Sequence, residues 1–185
     1  MAFDVVCLIA DWIPTVAACR QSRGTAFYWD APENPDGDDL RFASERHHRG
    51  FDFLEAGSYY ETLRRRLPNR PRVAADAFMG SVYHDLGPDR PAPPDDLAED
   101  ADVELSQYEA YYSMRPARVR AVLERARSVP WSEIEPVAAD MAMASRVTRH
   151  DVRDFEHFRR VVGLHQTWLT EAARTDRGLI VLLSG

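Results

Sequence analysis

The chain contains no lysine, and all 23 of its basic residues are arginine. A Schiff-base enzyme, a pyridoxal-phosphate enzyme and a P-loop nucleotide hydrolase each depend on a lysine amine, so those three classes are excluded. Glycine is sparse and scattered singly, with no G-x-G-x-x-G run to cradle a pyrophosphate and no G-x-S-x-G elbow to present a serine nucleophile. No cofactor is therefore expected. No apolar run approaches the roughly 18 residues that would span a bilayer. Met1-Ala2-Phe3-Asp4 brings an early acid and no base, unlike a secretory signal. Cysteine is limited to Cys7 and Cys19, set among apolar neighbours without C-x-x-C spacing. They read as buried thiols in a reducing compartment, which makes the expected location cytoplasmic.

What is present is a globular composition. At 185 residues the expectation is one domain spanning 1–185, burying roughly 70% of its unfolded surface. The net charge is −7, and eight acids between Asp85 and Glu104 against Arg90 alone account for all of it. Nucleic acid selects the opposite sign, so it is not expected as a partner. Four prolines among those acids exclude a regular element, and 86–104 is expected to be a mobile, exposed acidic loop. The arginine, alanine, proline and aspartate bias points to a GC-rich bacterial genome.

The last thirty-odd residues carry the fold class. Phe155, Phe158, Val162, Leu169 and Ala172 recur at steps of three, four and seven, one stripe of a helix over 151–174. Gly178 is suited to a left-handed helix stop. The following Leu179-Ile180-Val181-Leu182-Leu183 has no polar face, so it is expected inside a sheet covered on both sides. The fold class is α/β (or α+β), with a mixed sheet holding that buried C-terminal strand and amphipathic helices around it. Residues 3–10 read as another buried strand, and 14–20 and 58–67 as helices, the latter stopped by Pro68-Asn69-Arg70-Pro71. Residues 73–84 have no clear type. Tyr108, Tyr111 and Tyr112 show helical spacing. Ser113 suggests an N-cap for a helix with Val119, Val122, Leu123 and Ala126 inside, and 131–143 is weakly helical.

Several clusters have the residue types of a site. His150, Asp154 and His157 fall within about 60° on a helix face, and two imidazoles with a carboxylate are the ligands a zinc or non-haem iron centre uses. Acids in a first turn also complement the helix dipole, with Asp151 a possible cap, and that solvated-face reading is preferred. No metal is therefore assigned. His47 and His48 are adjacent and point apart, so they suit a surface loop better than a chelate. His165 lies on the buried stripe and reads as a core histidine bonded to a backbone carbonyl. Arg64, Arg65, Arg66, Arg70 and Arg72 read first as charge at a helix end, and second as an anion or acidic-partner patch.

Tyr112-Ser113-Met114-Arg115-Pro116-Ala117-Arg118-Val119 resembles the proline-bearing helix start of the YfbM-like family, a group of small uncharacterised bacterial proteins. Glu171-Ala172-Ala173-Arg174 and Gly178-Leu179-Ile180-Val181-Leu182-Leu183 resemble its late helix and terminal strand. The likeness covers 112–184. The family's central Asp-Lys-x-Trp segment has no counterpart here. Gly50-Phe51-Asp52-Phe53-Leu54-Glu55-Ala56-Gly57 is a remote echo of the leucine-rich helix and glycine next to that segment in the family. The resemblance implies an α/β fold and a cytosolic bacterial protein, and it carries over no catalytic residue.

The functional expectation is a non-enzymatic binding protein for a protein partner or small ligand, with a homodimer as a further option. An immunity-type protein against a basic toxin would suit the acidic charge. The alternative is a metal-dependent hydrolase or oxygenase using His150, Asp154 and His157, with His47 or His48.

Overall fold

The computed structural model describes residues 4–22, 43–47, 50–83, 110–144, 152 and 154–184. Contacts divide the chain into two compact units. One holds strands β1 (Asp4–Ala10), β2 (Ala43–His47), β3 (Ala110–Met114) and β4 (Gly178–Ser184), together with helix α1 (Trp12–Ser22). The other holds α2 (Gly50–Arg64, from Phe51 on), α3 (Asn69–Val82) and α5 (Trp131–Ala144). Helices α4 (Pro116–Ser128) and α6 (Phe155–Arg174) give residues to both.

The sheet runs β2-β1-β4-β3, and each described pairing is antiparallel. The α/β or α+β class holds, resolved to α+β, but the mixed sheet expected from the terminal strand is an antiparallel one. A strand apolar on both faces reports cover on both faces, which does not fix the direction of its neighbours. That cover is present. Val5 to Ala10 and Leu179 to Leu182 are all buried, and successive residues point to opposite faces. Each large aliphatic side chain enclosed in this way contributes about 1.5–3 kcal/mol. Cys7 lies in this layer and forms no disulfide among the described residues.

The turn into β4 differs from expectation in a useful way. The left-handed residue is Asp176, with φ of 53°, and Gly178 is a strand residue. The Arg177 N–H donates to the Ala172 carbonyl at 2.9 Å and the Asp176 N–H to the Ala173 carbonyl at 3.3 Å. That is a Schellman closure built on an aspartate, one of the few side chains that tolerates this conformation. Gly178 has another reason to be glycine. A Cβ there would lie 2.2 Å from Trp12 Cε3 and 3.0 Å from the Met114 carbonyl oxygen. Asp176 also pairs with Arg120, and Arg177 Nε donates to Asp11 Oδ1 at 3.0 Å, tying the turn to the start of α1.

Elements read as helix or left untyped also change. Tyr111 and Tyr112 belong to β3, with a register shift against β4 between Ala110 and Tyr112. Ser113 is a buried strand residue rather than a cap, and α4 opens on Pro116, where the missing N–H costs nothing. Its expected inner stripe is correct: Val119, Val122, Leu123 and Ala126 are buried. Residues 73–82 lie in α3, which begins at Asn69. Pro71 falls in its first turn, so the proline pair that ends one helix also starts the next. Loop 86–104 lies outside the described residues.

Candidate functional site

The structure gives Asp154 a local task. Its Oδ1 accepts the backbone N–H of His157 at 2.7 Å, which caps α6 three residues later than Asp151 would. His150 and His48 lie outside the described residues, and of His47 only the backbone, opposite Val5 in β2, is described. Among the described residues no three or more His, Cys, Asp or Glu side chains are grouped to hold a metal ion.

His165 is fully buried in the helical unit. Its Nε2 lies 3.1 Å from the Tyr83 hydroxyl, and its ring centroid is 4.8 Å from that of Phe53. The Tyr83 side-chain hydroxyl is thus one partner of the ring. Burial pushes the imidazole down to about 3, so it is neutral at ordinary pH. A neutral core histidine held this way is a packing group.

The arginine cluster holds one enclosed contact, at Arg64. Arg64 Nε donates to Asp76 Oδ1 at 2.7 Å and Nη2 to Oδ2 at 3.1 Å, while the Tyr60 hydroxyl donates to the same Oδ1 at 2.8 Å. This is the bidentate geometry that arginine matches best. Burial, then the Asp76 charge, raises the Tyr60 phenol far above its ordinary value. The Asp76 hydrogen bond raises Arg64. Arg65, Arg66 and Arg70 are exposed, and Arg72 Nη2 donates to Asn69 Oδ1 at 3.1 Å. The cluster is structural at Arg64.

One open cleft among the described residues lies between the N-terminal halves of α5 and α6. It is a cleft of about 720 Å³, lined by Trp131, Glu135, Asp154, Phe155, Glu156 and Arg159 among others. That volume is in the range of small-ligand pockets. The Arg159 guanidinium carbon stands 3.9 Å from the centroid of the Trp131 ring, a cation–π stack. Trp131 packs edge-on against the buried Phe158, with centroids 6.1 Å apart, and Phe158 stacks on Tyr59 at 5.0 Å. Trp131 is therefore backed by buried aromatic rings.

Its polar groups are not satisfied internally. Of the lining side chains, Arg159 Nη1 and Trp131 Nε1 are closed off from solvent with no hydrogen-bond partner among the described residues, and so is the Tyr59 hydroxyl, which does not line the cleft. Each such group costs about 1–3 kcal/mol. Burial lowers the Arg159 guanidinium, and the charge of Glu135 opposes that shift without closing an ion pair. Tyr59 is pushed up to about 12, by burial first and by Asp154 second. The lining thus offers one cation, three carboxylates and two aromatic faces. It can hold a charged guest in place, and it presents no nucleophile paired with a base.

Sequence reading missed this cleft. The available signal was Arg159 itself, four residues after Phe155 and one after Phe158, a charge set at the edge of the apolar stripe. Trp131, opening the most apolar of the described helices, was the other half of it. No protein family, curated protein or solved structure matches the chain. No helix among the described residues is long and apolar enough to cross a membrane.

Proposed function

We propose that the chain is a non-enzymatic, cytoplasmic binding protein that takes a small polar ligand in the cleft between α5 and α6. The observation that carries this reading is Arg159, half-buried and stacked on Trp131 in a cleft, with no counter-ion for its charge among the described residues. A half-buried guanidinium has been partly stripped of water without receiving a counter-ion, and a guest with an acceptor group supplies one. The reading rests on burial and charge, and includes no step of bond making or breaking. Nucleic acid remains outside the proposal, since the cleft carries more carboxylates than cations. Kinship with the YfbM-like proteins belongs to the proposal too, on the closing helix and strand of the chain, and it supplies no site residue.

Native mass spectrometry of protein purified gently and without chelators tests this. The expected result is a non-covalent organic adduct that is lost from an Arg159→Met variant. An adduct of metal mass would instead favour the hydrolase or oxygenase built on His150, Asp154 and His157. An organic adduct that survives Arg159→Met undiminished would contradict the cleft as its site.

A further inference from the structure

Resting on that reading of the cleft, we infer that its ligand is a basic α-amino acid. The charges on the lining narrow the choice. Arg159 and Glu135 act on one another electrostatically but are too far apart to pair, so the cleft holds a positive and a negative group that do not neutralise each other. Asp154 and Glu156 add two further carboxylates. A simple anion such as phosphate gains Arg159 and meets three carboxylates. A simple cation gains the carboxylates and leaves Arg159 unpaired against it. A guest with one carboxylate and two cationic groups answers Arg159 and two of the three carboxylates, and Asp154 already has a donor in the His157 N–H.

The fit is specific in its parts. The α-carboxylate accepts from the Arg159 guanidinium, which offers a planar fork suited to it. The α-ammonium and the side-chain cation lie against Glu135, Asp154 and Glu156, which are exposed and able to turn toward it. Asp154 keeps this capacity although one of its oxygens caps α6, because a carboxylate accepts several hydrogen bonds. The alkyl stem of the guest covers the Phe155 and Trp131 rings, which excludes water from the charged contacts and strengthens them.

Isothermal titration of the full chain with L-arginine, L-lysine and agmatine tests the inference. Agmatine keeps the amine and guanidinium of arginine and lacks only the carboxylate. The expected result is binding of L-arginine or L-lysine, with agmatine weaker than L-arginine by about 10-fold or more. Arg159→Met should remove that preference, and Glu135→Gln should weaken the amino acids and agmatine alike. The comparison between L-arginine and agmatine uses the unaltered protein, so it stands even if a variant folds poorly. Equal affinity for the two compounds would overturn the inference. So would failure of both amino acids to bind a protein that carries an Arg159-dependent organic adduct, and that outcome would leave the cleft as a binding site for another class. No adduct and no binding together would overturn both.

Discussion

Between β1 and β4 the buried residues are almost all aliphatic, and what limits change there is volume: Leu8, Val181 and Ile180 are closed off completely and Gly178 has no room for a methyl group. In the helical unit the enclosed residues include Tyr60, Asp76, Tyr83 and His165, each held by a side-chain hydrogen bond, and beside them lie donors with no described partner. The sheet unit is stabilised by filling space, which is tolerant of sequence and mute about function. The helical unit carries polar groups at a cost, and some of them have no hydrogen-bond partner among the described residues. The difference separates scaffold from site within one chain of 185 residues.

Mutations that exchange one kind of limit for the other test this contrast. The largest effect is expected at Asp76→Ala, which strands Arg64 and the Tyr60 hydroxyl where the Arg64 and Asp76 side chains are only 15% and 12% exposed. Breaking a buried pair from one side costs about 3–5 kcal/mol, and residual exposure places this one near the lower figure. Urea denaturation measures it, and a loss below about 1 kcal/mol would class the pair with surface ion pairs. Next is Gly178→Ala, a purely steric insult against Trp12 and the Met114 carbonyl, expected to cost about 1–3 kcal/mol. Adding Trp12→Ala should make the second change cost less in the double variant than alone, a coupling that a double-mutant cycle reads directly.

His165 supplies a pH-dependent contrast. Its folded value of about 3 lies below the ordinary 6.5, so on acidification the unfolded chain takes up a proton first. Above about pH 6.5 both states are neutral and the residue adds no pH dependence. Between there and about pH 3 stability falls as pH falls. Denaturation midpoints at pH 7, 5 and 4 should drop less steeply in His165→Gln than in the unaltered protein, and parallel curves would contradict this. The smallest effect is expected at Asp176→Gly. Glycine relieves the left-handed backbone, worth about 1 kcal/mol, and gives up the exposed pair with Arg120, worth less than about 1 kcal/mol. A net gain of at most about 1 kcal/mol should appear as a small rise in Tm.

Much of the sheet unit, and one face of α4, was legible before the structure because the signals are local and apolar. The run from Leu179 to Leu182 states its own burial, and Val119, Val122, Leu123 and Ala126 declare one face of α4. Strand direction was not legible, since it is set by partners distant in sequence. Nor was α3, where Pro68 and Pro71 read as a stop although one of them sits in a first turn. Tyr111 and Tyr112 illustrate a third limit: three-residue spacing outweighed the β preference of tyrosine, and pairing with β4 decided the matter. The candidate site was least legible of all. Histidine drew attention because of its ligand chemistry, yet His157 sits at a helix cap and His165 in the core. The cleft depends on how Trp131 and Arg159 meet across two helices, a contact that spacing within one helix cannot show.

The most direct test follows the Trp131 indole N–H by nitrogen-edited NMR, assigned through Trp131→Phe, while the low-molecular-mass fraction of a cell extract is added. If the cleft is the binding site, that resonance moves and saturates, and the same addition leaves it still in Arg159→Met. A resonance unmoved by any fraction, or one that moves equally in Arg159→Met, would contradict a ligand held at Arg159.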